Sequence, residues 1–137
     1  MLIKAFIIAA RAHRGQKDKG GKAYIFHPLN VALRSKGRQE KIVALLHDVV
    51  EDTSITTDDL KNAGFSNEVV NAVSAITKIR GEAYEAYLNR VKSDRIARAV
   101  KIADLQHNSD LSRLKTITER DKQRQARYKR SIEFLLA

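Results

Sequence analysis

One proline and six glycines in 137 residues leave this chain few places to stop a helix. Proline removes a backbone donor and clashes with the preceding turn, and glycine costs the most entropy, so their scarcity favours helical stretches. Apolar residues recur at three- and four-residue spacing almost throughout. Nowhere do apolar and polar residues alternate long enough to mark a half-buried strand. The spacing predicts an all-α chain of about seven or eight helices.

The boundaries follow from local signals. "MLIKAFIIAARAH" opens the first core helix, and its apolar run Ala5–Ala10 is too short for an export signal or a bilayer span. A cytoplasmic protein without a membrane partner is expected. Pro28 is expected at the first position of the next helix and Gly37 at its end. Ile42 to Leu46 carries a helix from about Gln39 to about Glu51. Thr57 with Asp58 and Asp59 begins a short helix that Gly64 ends. Ser66 opens 67–78, Gly81 precedes 82–92, and Ser93-Asp94 introduces 95–107. Thr118-x-x-Asp121 resembles a capping box before a basic amphipathic helix. With no repeat, linker or low-complexity segment, residues 1–137 read as one domain, long enough to bury roughly two-thirds of its unfolded surface. The absence of cysteine excludes disulfides, thiolate zinc sites and thiol nucleophiles.

The net charge of +10 is concentrated in two places. Residues 11–22 set Arg11, Arg14, Lys17, Lys19 and Lys22 against Asp18, and residues 113–130 set eight Lys or Arg against Glu119 and Asp121. These two segments account for the whole excess. They suit either solvated faces or an anionic partner.

The stretch "ALLHDVVEDT" (44–53) puts His47, Asp48, Glu51 and Asp52 inside an apolar run. On a helix, Glu51 falls one turn beyond His47, and Asp52 one turn beyond Asp48. Carboxylates gathered this closely repel. An exposed acidic helix end would tolerate that, but Leu45, Leu46, Val49 and Val50 leave little of the segment free to face water. A divalent cation reverses the argument, because it needs electron-rich ligands and offsets their repulsion. Other ligands must come from elsewhere in the chain. His27 precedes Pro28, and Asp104 interrupts the apolar "VKIADLQHN" (100–108), with Asn108 one turn further on. A buried carboxylate without a partner costs several kcal/mol, so Asp104 needs a nearby lysine or a metal. Each residue taken alone suits a structural role. Together, two His and two Asp suit Mn²⁺, Fe²⁺ or a similar octahedral ion.

The order His27, His47-Asp48, Asp104 resembles the H…HD…D pattern of the HD phosphohydrolase superfamily. Three blocks, "AHRGQKDKGGKAYIFHPLNVA" (12–32), "ALLHDVVEDT" and "VKIADLQHN", resemble one branch of it, the hydrolase domain of RelA/SpoT-type alarmone enzymes. The resemblance implies a compact all-α multi-helix HD-domain bundle. It implies metal-dependent hydrolysis of the 3′-pyrophosphate of a (p)ppGpp-like nucleotide, releasing pyrophosphate and GDP or GTP. It also implies Mn²⁺, or another divalent ion, on His27, His47, Asp48 and Asp104, with Glu51 and Asp52 as the catalytic acidic pair. Asn108 would contact the substrate ribose, and Arg14, Lys17, Lys19 and Lys22 would gather its phosphates. On the C-terminal helix Arg124, Tyr128 and Arg130 are weaker candidates for the same task, with the surface as their expected place. His13 and His107 are expected as hydrogen-bonding supports, and Tyr24 as packing beneath the His27 loop. A chain of this length is expected to hold the hydrolase alone.

Two positions differ from the family pattern. Asp18 stands where an Arg that stacks on the base is usual, and "HNSDL" replaces a form like "HNMRTL" after Asn108. Both bear on base and phosphate recognition, and neither touches the metal set. An adenosine alarmone hydrolase or nucleotidase is therefore an alternative, as is a non-catalytic basic helical module that binds nucleic acid, which the paired carboxylates disfavour.

Overall fold

A computed structural model describes residues 1–137. Its helices are α1 (Leu2–Ala12), α2 (Phe26–Arg34), α3 (Arg38–Leu46), α4 (Val49–Asp52), α5 (Thr57–Asn62), α6 (Asn67–Ile76), α7 (Tyr84–Ser93), α8 (Arg95–Asn108) and α9 (Glu119–Leu136). A 3₁₀ turn covers Leu111–Arg113. The chain is all-α, with eight helices of six residues or more and the single turn α4. No helix is long and apolar enough to cross a membrane.

Four of the expected starts are present. Thr56 and Thr118 form capping boxes with Asp59 and Asp121, and the Ser66 and Asp94 side chains accept from Val69 and Ala97 amides. Each such cap satisfies an amide that the first helical turn leaves unpaired. Gly64, just past α5, has φ +98°, a conformation glycine adopts without penalty.

Other boundaries differ from expectation: α6 stops at Ile76 against an expected 78, and α7 begins at Tyr84 against an expected 82. α2 begins at Phe26, so Pro28 occupies its third position, where a missing amide still costs nothing. Gly37 caps the start of α3 instead of ending α2, which stops at Ser35. The helix expected over 39–51 breaks at His47-Asp48, separating α3 from α4. The cause is local: His47 Nδ1 lies 2.5 Å from the Ala44 carbonyl oxygen, the acceptor that an unbroken helix would give to the Asp48 amide.

α8 runs through the middle, packed against α2, α3, α6, α7 and α9. It buries residues around most of its circumference, Ile96, Ala97, Val100, Ala103 and Leu105 among them, and with them Lys101, Asp104 and His107. Val31, Val43, Leu46, Val49 and Val73 complete the core around it. Polar groups held this deep need partners, and those partners form the site.

Candidate metal centre

α2, the α3–α4 break and α8 each carry ligand-type atoms to one point. His27, His47 and Asp104 are buried and offer atoms that lie within 4.8 Å of one another. Asp104 Oδ1 is 2.8 Å from His27 Nε2 and 3.4 Å from His47 Nε2. Asp48 Oδ2 is 3.2 Å from His47 Nε2 and 4.0 Å from His27 Nε2. Atoms about 2.1 Å from an octahedral ion stand about 3 Å apart when adjacent and about 4.2 Å when opposite. The spacings among His27, His47 and Asp104 fit one ion. Of the four residues expected to converge from three separated stretches, His27, His47 and Asp104 form one mutually close group, and Asp48 lies beside it against His47.

The chemistry of His47 is the sharper test of fit. A carbonyl only accepts, so Nδ1 carries the proton it gives to Ala44, and the neutral ring presents its Nε2 lone pair to the cluster. Nε2 is buried without a well-aligned hydrogen bond, beside two carboxylates that are also electron-rich. Such an arrangement needs a positive charge at its centre, from a metal or from a second proton on the ring. Without a metal the proton supplies it: burial opposes the imidazolium, but Asp48 and Asp104 outweigh burial and raise the His47 pKa well above the ordinary histidine value. For the carboxylates burial again opposes the charged form. Lys101, His27 and His47 overcome it at Asp104, and His47 and Tyr24 overcome it at Asp48, so both stay ionised below the usual range.

Around these atoms lies a set of fixed partners. Lys101 Nζ sits 3.0 Å from Asp104 Oδ2, and Asn108 Nδ2 donates to Asp104 Oδ1 at 3.2 Å. Asp104 thus has both the lysine and the metal-type neighbours that the sequence posed as alternatives. Tyr24 donates its hydroxyl to Asp48 Oδ2 while its ring lies against His13 and His27, a closer role than packing alone. His107 Nδ1 is 2.7 Å from His27 Nδ1. Burial first, then the neighbouring His27 and Arg113, depress His107 to a pKa of about 4, so near neutral pH it is an uncharged ring able to accept from His27. His13 is buried with Nδ1 3.0 Å from Gln16 Oε1. These supports orient the ligand atoms, and neutral imidazole ligands are commonly set this way.

Two openings meet at the cluster. A narrow polar cleft of about 120 Å³ is lined by His47, Asp48, Glu51, Asp104, Lys78 and Lys101, among others. Glu51 Oε1 accepts the Lys78 amide at 2.9 Å. Asp52, on the same turn, is largely exposed and lines neither opening; the partial shielding of its carboxyl and the Asp48 charge raise its pKa. A larger cavity of about 270 Å³ shares Tyr24, His27 and Asn108 with the cleft and is walled by Lys17, Lys19, Arg113, Arg124 and Tyr128. Of the residues expected to gather phosphates, Lys17 and Lys19 line it; Arg14 is exposed and lines neither opening. Arg124 and Tyr128, expected at the surface, are cavity walls, while Arg130 is exposed. Lys78, Lys101 and Arg113 escaped the sequence reading. Lys101 had a signal, a charged residue on the apolar stripe one turn before Asp104; Lys78 and Arg113 had none beyond charge.

Comparison with known proteins agrees with this geometry. The family described as "HD domain" matches residues 5–134, and the chain belongs to that family. Members bind divalent metals, and this chain has the His27, His47 and Asp104 group that could hold one. The chain is 41% identical over 80 residues to the guanosine-3′,5′-bis(diphosphate) 3′-pyrophosphohydrolase of Aquifex aeolicus, over 56% of this chain and 11% of that protein. It is 30% identical to the probable enzyme of the same name from Synechocystis, over 100% of this chain and 19% of that one. It is 32% identical to the GTP pyrophosphokinase of Myxococcus xanthus, over 90% of this chain and 18% of that one. The chain thus spans about a fifth or less of the length of these curated relatives. A solved structure, described as "A metazoan ortholog of SpoT hydrolyzes ppGpp and plays a role in starvation responses", shares the fold: its TM-score is 0.80 at 22% identity, covering 98% of this chain and 84% of that one.

Proposed function

We propose that residues 1–137 form one HD-type hydrolase domain that removes the 3′-pyrophosphate from a (p)ppGpp-like guanosine nucleotide, releasing pyrophosphate and GDP or GTP. The observation that carries this reading is the meeting of His27, His47 and Asp104 within ion-binding reach, with Asp48 beside them, at a cleft that holds Lys78 and Lys101 and a cavity walled by Lys17, Lys19, Arg113 and Arg124. The names of the relatives support the substrate class. A nucleotide substrate goes with work in the cytoplasm.

His27, His47, Asp48 and Asp104 would hold the ion, and mixed imidazole and carboxylate ligands suit Mn²⁺. When bound, the ion supplies Lewis acidity toward water and the attacked phosphorus. Glu51, facing the cleft and steadied by the Lys78 amide, orients the attacking water. Asp52, exposed on the turn that carries Glu51, is the second member of the acidic pair and takes the proton that water gives up. Lys78 and Lys101 line the same cleft and supply the positive charge that a departing pyrophosphate needs. Asn108 reaches both openings and is placed to meet the ribose between them. Lys17, Lys19, Arg113 and Arg124 face the rest of a polyanionic substrate.

The test is to incubate purified protein with Mn²⁺ and a panel of guanosine and adenosine 3′-pyrophosphates and to measure pyrophosphate. Release from the guanosine compounds, abolished by chelation, is expected. Release from adenosine compounds alone would move the reading to an adenosine alarmone, and release from none would end it.

A further inference from the structure

We infer that Arg113, held in place by Asp18, is a specificity-determining residue that binds the 5′-phosphate end of the substrate. The inference rests on the function proposed above and assigns the far wall of the larger cavity to the end of the nucleotide opposite the scissile bond.

In the larger cavity, donors outnumber the acceptors left free for them. Its carboxylates are committed to the protein. Asp110 accepts from the Ser112 amide at 3.0 Å and the Ser112 hydroxyl at 2.6 Å. Asp121 caps α9 through the Thr118 amide at 2.9 Å and lies 3.5 Å from Arg124 Nη1. Asp18 Oδ1 accepts the Lys22 amide at 3.0 Å, and Oδ2 lies 3.6 Å from Arg113 Nη1. That last separation is longer than a hydrogen bond, so Asp18 attracts Arg113 without saturating it. Arg113 Nε is buried and has no acceptor at all. A guanidinium whose Nη is only loosely paired, on a side chain 25% exposed beside the cavity, keeps donors to offer a phosphate.

The surroundings point the same way. Burial lowers the Lys19 pKa, and Arg124, Arg113 and Arg120 add to the effect against Asp121, so cations gather along this wall. The backbone holds Arg113 still. A Cβ added at Gly20 would come within 3.0 Å of the Arg113 carbonyl, so the 18–21 loop lies flush against the 3₁₀ turn. The cavity and the metal cleft share Tyr24, His27 and Asn108, so one molecule can reach both. With a 3′-pyrophosphate at the cluster, the phosphorylated 5′ end falls to the cavity.

Calorimetric titration of the metal-free, chelated full chain with GDP and with guanosine tests the site without turnover. Wild type should bind GDP more tightly than guanosine. Arg113→Gln should weaken GDP about tenfold and guanosine not at all, the usual scale for one charge-assisted contact, with partial recovery in Arg113→Lys. With Mn²⁺, Arg113→Gln should raise KM more than it lowers kcat on a 5′-diphosphorylated substrate, and should lose this defect on one with a 5′-hydroxyl. A purely structural ion pair predicts instead that Arg113→Gln and Asp18→Asn lower Tm alike and leave GDP affinity untouched, which would overturn the inference. Equal wild-type affinity for GDP and guanosine would overturn it too. If wild type hydrolyses nothing but Arg113→Gln still loses GDP, the proposed reaction falls and this site stands. If hydrolysis proceeds and GDP affinity is unmoved, the reverse holds.

Discussion

The metal cluster and the cavity beside it are built on opposite plans. The cluster stands on α2, α3 and the middle of α8, with His27, His47 and Asp104 each only 4% exposed, so its atoms are fixed by core packing. The cavity is assembled from the 13–25 loop, the turn after α8 and one face of α9, and its cations are partly open to water. Chemistry that tolerates little misplacement sits on packed helices, whereas recognition, which must differ among substrates, sits on elements that can change without disturbing the core. The two regions should therefore respond differently to substitution.

The largest difference is expected from the carboxylates. Asp48→Ala should abolish turnover and metal uptake while the helical circular dichroism persists, because Asp48 is on the cluster's more open side, with a side chain 16% exposed. Asp104→Ala should add a loss of stability of about 3–5 kcal/mol, since it strands buried Lys101; equal melting curves for the two variants would dissolve the contrast. Next comes His107→Leu, which removes the ring beside His27 Nδ1. Metal affinity should fall about 10–100-fold by titration, and His107→Gln, which keeps an acceptor, should recover part of it.

A third effect is graded with pH. The ion competes with the proton that Asp48 and Asp104 hold on His47, so its apparent affinity should climb by up to about tenfold per pH unit and flatten above the raised His47 pKa. The same group gives the metal-free fold a stabilisation that is complete below the ordinary histidine pKa and is lost as pH rises through the raised value, so added metal should lift Tm most at high pH. A flat affinity profile between pH 6 and 8 would contradict the proton at His47. The smallest effect belongs to the cavity rim: Lys19→Ala should cost only a few-fold in KM, shrinking with salt, because an exposed lysine interacts weakly and is screened.

The same division decides what the sequence can reveal. His47-Asp48 and Asp104 are legible because charge inside an apolar run is costly, so each demands a partner whatever the arrangement of the helices. Thr118-x-x-Asp121 and Ser66 are legible as caps because their hydrogen bonds are local. The break after Leu46 is not, since it depends on one imidazole taking over the carbonyl of Ala44. Arg113 is equally hidden: a basic residue in a basic segment gives no sign that it faces Asp18, far away along the chain, and the departure at Asp18 gains its meaning only from that pairing.

The ring of His47 does two jobs with its two nitrogens, one mending the backbone and one reaching toward its neighbours. Transplanting these four side chains onto an uninterrupted helical scaffold would therefore fail. The carbonyl at the position of Ala44 would keep its usual amide, the ring would lose its tether, and the lone pair would point nowhere in particular. A designer who wants this centre must borrow the kink along with the ligands.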